Sequence, residues 1–209
     1  MKKATIVILF TFATFFTSAQ VIPVETLFGD KRVAVAMGFN KPVAGKFSVM
    51  SLSSIAAYYD YKKGATEMVT VNSLAYRLHQ NVAVSGGMQY HFMKGFMPNA
   101  ALHFSHITPV WYLTLTPYYN FLPWNGLETS AVVEYKPAIT EDLRLFTRFQ
   151  GFYGHNIDAN VWERGMLYFR LGLSHKKYSA GAAVNMDYYH AGGKKREVQN
   201  FGGFVRVDI

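Results

Sequence analysis

Five charged side chains sit close together in stretches otherwise rich in apolar residues: Glu128 and Glu134, then Arg144 and Arg148, then Arg170. Guanidinium groups converging on a water-filled passage favour anions by their field and by paired hydrogen bonds. The same residues can instead form an internal Arg–Glu network, with guanidinium planes stacked on tyrosines. If the chain turns near residue 159, Arg148 falls opposite Arg170, and Glu134 lies one segment away from Arg144 or Arg148. A second constellation is His103-Phe104-Ser105, whose spacing puts an imidazole and a hydroxyl on one side of an extended strand. Such a pair can activate a serine nucleophile. The seven histidines offer no i,i+4 metal pair. The absence of cysteine removes thiolate zinc sites, iron–sulfur clusters and a cysteine nucleophile. No metal and no cofactor are expected.

The elements that must position these residues read as strands. Apolar and polar residues alternate with period two, and helical spacing is poor. Strands are expected at 31–39, 46–61, 67–78, 82–92, 98–106, 110–121, 127–136, 143–153, 164–174, 178–189 and 198–209, separated by Gly, Pro, Asn and Asp turns. Over 127–136, Leu127, Thr129, Ala131, Val133 and Tyr135 oppose Glu128, Ser130, Val132, Glu134 and Lys136. Over 143–153, Leu143, Leu145, Thr147 and Phe149 oppose Arg144, Phe146, Arg148 and Gln150. The later strands behave likewise, and their apolar faces carry no charge. The 67–78 segment breaks the pattern: Val69 and Val71 share a face with Arg77, and Asn72 shares one with Leu74, Tyr76 and Leu78. It is either bulged or not a simple strand.

Alternation suits a soluble barrel with an apolar inside or a membrane barrel with an apolar outside. Three features favour the second. The polar face is poor in Lys and Glu and rich in Gly, Ser, Thr, Asn, Tyr and Arg, which suits a crowded wet lumen. Aromatics gather towards strand ends (Tyr58, Tyr59 and Tyr61; Tyr90 and Phe92; Tyr118, Tyr119 and Phe121; Tyr188 and Tyr189), as in the girdles at membrane interfaces. Residues 1–19 have two lysines, an apolar run and small residues before Ala19, the layout of a secretory signal peptide. Its removal takes away Lys2 and Lys3, leaving 19 basic residues against 13 acidic ones, net +6. The rest, residues 20–209, is expected to be one barrel. A chain that is 16% aromatic and only 16% charged, with mean hydropathy +0.05, fits a protein whose outside is hydrocarbon.

The C-terminal run Asn200-Phe201-Gly202-Gly203-Phe204-Val205-Arg206-Val207-Asp208-Ile209 resembles the assembly signal of bacterial outer-membrane β-barrel proteins. Asn200, Gly202, Val205, Val207 and Ile209 fit it, with Ile where Phe is usual. A Gln directly after the signal-peptide site resembles export signals of Bacteroidota. The resemblance is to an architecture rather than to a specific family. It implies an all-β fold, a transmembrane antiparallel up-and-down β-barrel of about 12 strands with 10 as the alternative. Reaching twelve requires Val21 to Phe28 to be a strand despite Pro23. It also implies export to the outer membrane of a Gram-negative bacterium, with outer-membrane lipids, lipopolysaccharide and the barrel-assembly machinery as partners. Both termini then lie in the periplasm, with 154–163 and 192–197 as longer outer loops and 137–142 and 175–177 as short inner turns. Lys194-Lys195-Arg196 is expected in an outer loop. Nucleic acid is not an expected partner. The expected function is a small passive porin-like channel for ions or small polar solutes with a mildly anion-favouring lumen. The alternatives are a closed structural or surface-interaction barrel and, last, a lipid hydrolase using His103 and Ser105.

Overall fold

The computed structural model describes residues 22–121, 124–191 and 194–209. The proposed signal peptide lies outside them. Twelve strands follow one another: β1 Pro23–Gly29, β2 Arg32–Ala44, β3 Phe47–Tyr58, β4 Glu67–His79, β5 Val82–His91, β6 Gly95–Ile107, β7 Trp111–Asn120, β8 Gly126–Tyr135, β9 Leu143–Asn156, β10 Val161–His175, β11 Tyr178–Ala191 and β12 Lys194–Asp208. Each pairs antiparallel with its sequence neighbours, and β1 pairs with β12 to close the barrel. That seam runs from Pro23↔Asp208 to Gly29↔Gly202. Pro23 is tolerated because it is the first residue of its strand. β1 therefore supplies the twelfth strand.

Side chains alternate as the sequence pattern requires, with the apolar set outside. Leu167, Phe169, Leu171 and Leu173 on β10 are all exposed, while Arg170 and Ser174 between and beyond them are buried. The lumen, not the outer face, holds most of the buried polar groups, among them Glu25, Arg32, Glu134, Asn185, Asp187 and Asn200. A small apolar cluster of Leu27, Phe146, Ala183 and Phe204 also lies inside. This transmembrane barrel is the inverse of a soluble fold: water-seeking groups inside, hydrocarbon-seeking groups outside.

The irregular 67–78 segment is strand β4, and its register shifts only at its end, between Arg77 and His79. Val69 and Val71 do face the lumen, and Asn72 faces outward beside exposed Leu74 and Tyr76. Aromatic pairs ring both ends of the outer surface. Phe47–Tyr76 and Trp111–Tyr135 lie at the end bearing the termini, and Tyr90–Phe96 and Tyr119–Phe121 at the other. Three of the tyrosines expected in the girdles belong elsewhere. Tyr189 bonds Glu67, Tyr118 packs on Phe152, and Tyr58 meets Arg32 and Arg196, because alternation turns them to the lumen side.

Loop expectations need correction. Lys194 to Glu197 are part of β12, so Lys194-Lys195-Arg196 is strand rather than loop, and the Arg196 guanidinium donates to Tyr58 Oη at 2.7 Å. The β9–β10 connection, 157–160, is shorter than the β8–β9 connection, 136–142, the reverse of the expected order. Long strands that cross the barrel obliquely use up residues that turn chemistry alone assigns to loops.

Candidate functional site

Beside a Lys94–Glu163 pair at the end away from the termini, most ionised side chains of the inner wall fall into three groups. Nearest the termini, Glu134 binds the Arg206 guanidinium at 2.7 Å and the Lys136 ammonium at 2.7 Å, and Arg206 also holds Asp208 at 2.8 Å. At the opposite end, Arg32 pairs with Asp187. Arg164 reaches Glu67 at 2.9 Å and Asp187 at 3.3 Å, and the Tyr189 hydroxyl donates to Glu67. β10 and β4 are six strands apart in a ring of twelve, so the Arg164–Glu67 bridge crosses the lumen from one side to the other.

Between these lies the third group. Arg148 Nη2 and Arg170 Nε both donate to Glu25 Oε1, at 2.7 and 2.8 Å. Arg170, only 3% exposed, also donates to Asn185 Oδ1 and to the carbonyls of Phe169 and Val184. Aromatic faces support the cations: Arg170 lies over Tyr168 and Phe204, and Arg206 over Phe146, which itself packs on Phe204 at 5.3 Å. The first two groups balance base against acid, two to two. The middle group sets two guanidinium groups against one carboxylate.

The register bears on each residue singled out from sequence. Arg148 is the Cα partner of Arg170, and Glu134 the Cα partner of Arg148. The side chains choose differently. Glu134 turns to Arg206 on β12, and Arg148 reaches across to Glu25 on β1. Arg144 sits near the terminal end and donates to the backbone carbonyls of Pro109 and Lys136, apart from the cluster. Glu128 is buried on β8, towards the end away from the termini, and accepts a long bond, 3.4 Å, from Gln89. Sequence reasoning did not single out Glu25, Arg206, Asp187, Glu67 or Arg164 as partners. Glu25 comes to the arginine-bearing wall only through closure, which sets β1 against the last strand.

His103 and Ser105 point inward from β6. The imidazole, however, meets Ser85 Oγ at 2.7 Å through Nε2 and Thr116 Oγ1 at 3.3 Å through Nδ1. Ser105 is instead the Cα partner of Thr114 on β7.

The assembly-signal residues occupy the closing seam. Asn200 Oδ1 accepts from the backbone amides of Lys31 and Arg32, and its Nδ2 donates to the Arg32 carbonyl, which clamps the β1–β2 turn onto β12. Gly202 lies so close to β1 that a Cβ there would be 1.9 Å from the Phe28 carbonyl oxygen. Val205 projects outward, exposed, and Val207 pairs with Val24 and Tyr178 across the two neighbouring strands. Ile209 exchanges backbone hydrogen bonds with Ile22.

The fold and its lined interior define the class: a twelve-stranded antiparallel transmembrane β-barrel with the architecture of outer-membrane porins. The NanC porin structure superposes with a TM-score of 0.54 at 13% identity, covering 90% of this chain and 99% of that one. The KdgM porin superposes with a TM-score of 0.50 at 12% identity, covering 91% and 99%. At such identities the likeness is one of fold. No protein-family profile and no curated protein matches the chain.

Proposed function

We propose that the protein is a passive porin-like channel of the outer membrane, for ions and small polar solutes, with a weak preference for anions. One observation carries the channel reading: Leu52 points into the barrel from the middle of β3 and is still 50% exposed. Ser54 beside it and Asn40 on β2 are also inward-facing and exposed. At mid-barrel the charged and aromatic filling is drawn to the β8–β1 wall, and the facing part of the β2–β4 wall carries Gly38, Leu52, Ser54 and Ser73, with Arg32 and Glu67 at its end away from the termini. The anion preference follows from the middle group, where two guanidinium groups share one carboxylate. Its weakness follows from the balanced groups at either end and from Glu128. The two superposable barrels called porins are consistent with this reading.

The test is planar-bilayer conductance of the purified protein under a salt gradient. Discrete channels are expected, with a reversal potential of anionic sign that moves towards neutrality in Arg148→Ala/Arg170→Ala. Cation preference untouched by that double change refutes the selectivity assignment. A second reading, a closed barrel, rests on the Arg164–Glu67–Tyr189 bridge across the lumen. It is favoured if the wild type is silent and Glu67→Ala conducts.

A further inference from the structure

We infer that the outer face of β3 and β4 is the contact surface for a second copy of this chain within the membrane. Four polar side chains form a compact patch there, as two directly opposed pairs: Ser51 with Asn72, and Ser53 with Thr70. They share the face that carries exposed Val49, Ile55, Leu74 and Tyr76, so the patch looks into hydrocarbon, between the aromatic ends of the barrel. The Ser51 hydroxyl donates to Asn72 Oδ1 at 2.9 Å, and that is the one hydrogen bond within the patch among the described residues. Asn72 is exposed, and its Nδ2 keeps two hydrogens to donate. Thr70 Oγ1 is buried beneath its neighbours, so Asn72 and Ser53 present the patch's polar atoms. On β9, by contrast, the outward-facing Thr147 hydroxyl donates to the Tyr135 carbonyl at 3.2 Å.

Lipid tails offer nothing to an amide, so an exposed carboxamide at membrane depth calls for a protein partner. The patch complements itself. It holds donors (Asn72 Nδ2 and the Ser53 hydroxyl) beside acceptors (Asn72 Oδ1 and Ser53 Oγ). A two-fold axis through it therefore satisfies both copies with one set of residues. Two serines also keep the surface low, which lets barrel walls approach closely, as small residues do between membrane helices. A second copy is thus the partner whose chemistry the patch itself already carries. This inference is independent of whether the barrel conducts.

The chain has no cysteine, so single cysteines report proximity without background. The full-length protein carrying Ser53→Cys, in phospholipid vesicles, is treated with a short bismaleimide and compared with Leu171→Cys on β10. A dimer band is expected for Ser53→Cys at several times the yield of Leu171→Cys. Adding Asn72→Leu should lower that yield about threefold to tenfold, in line with hydrogen-bond strengths between membrane-embedded partners. Retained heat-modifiable gel mobility reports that the barrel is still folded. Equal yields at Ser53 and Leu171 overturn the inference, whatever the Asn72 variant does. So does a yield unmoved by Asn72→Leu in a folded barrel, or an adduct in whole cells whose mass is not twice that of the chain.

Discussion

At the residue scale, the interior is organised by how many cations each carboxylate serves. Glu25 Oε1 receives both Arg148 and Arg170, and Glu25 is itself only 4% exposed. Removing its charge leaves two guanidinium groups facing each other in a confined space. Glu25→Gln should therefore destabilise the barrel by about 3 kcal/mol, the usual scale for stranding a buried charge. It should also shift the reversal potential further in the anionic direction. Chemical unfolding in detergent and salt-gradient recordings on the same variant check the two effects, and a move towards cation preference contradicts the assignment. The arginines were legible from sequence, as was the pairing of Arg148 with Arg170. Glu25 as their partner was not, because it sits more than a hundred residues away and meets them only when the barrel closes.

At the element scale, the last strand does more than end the chain. Asn200 clamps the β1–β2 turn, and Gly202 permits close contact with β1. Gly202 and Gly203 give a matched test. A methyl at Gly202 collides with the Phe28 carbonyl, whereas one at Gly203 has Gly181 O as its nearest atom, at 3.5 Å. Gly202→Ala is expected to cost roughly 1–3 kcal/mol through overpacking at the seam and to lower the folded fraction on unboiled gels. Gly203→Ala is expected to fold like the wild type. Equal folding of the two variants removes the steric account. Strand existence and facing were readable at this scale because a period of two survives local irregularity. Strand ends were less so. Lys194 to Glu197 are polar enough to look like a loop and become strand because β11 offers them a ladder of partners, Ala191↔Lys194 to Tyr188↔Glu197.

At the scale of the whole molecule, the inverted arrangement makes opposite predictions for the two faces. Leu171→Arg puts a charge against lipid near mid-strand and should cost about 2–4 kcal/mol. Ser54→Arg puts the same side chain into the open part of the lumen and should leave folding nearly unchanged. Measured unfolding free energies that rank the two the other way would invert the barrel. Leu52→Trp, which fills the exposed inward position, is expected to lower single-channel conductance without changing its ionic preference, since it adds bulk and no charge. The amino-acid sequence by itself determined the all-β class, the alternation of faces, the inside-out polarity and the charged wall, because these follow from residue type and a local period. Only the tertiary structure decided that there are twelve strands and that Glu25 neutralises the arginine pair. It alone also decided that Arg164 and Glu67 bridge the barrel, that His103 bonds Ser85 and that Asn72 is exposed on the outer face. Those facts depend on closure, which joins the first strand to the last and sets across one lumen side chains that lie far apart along the chain.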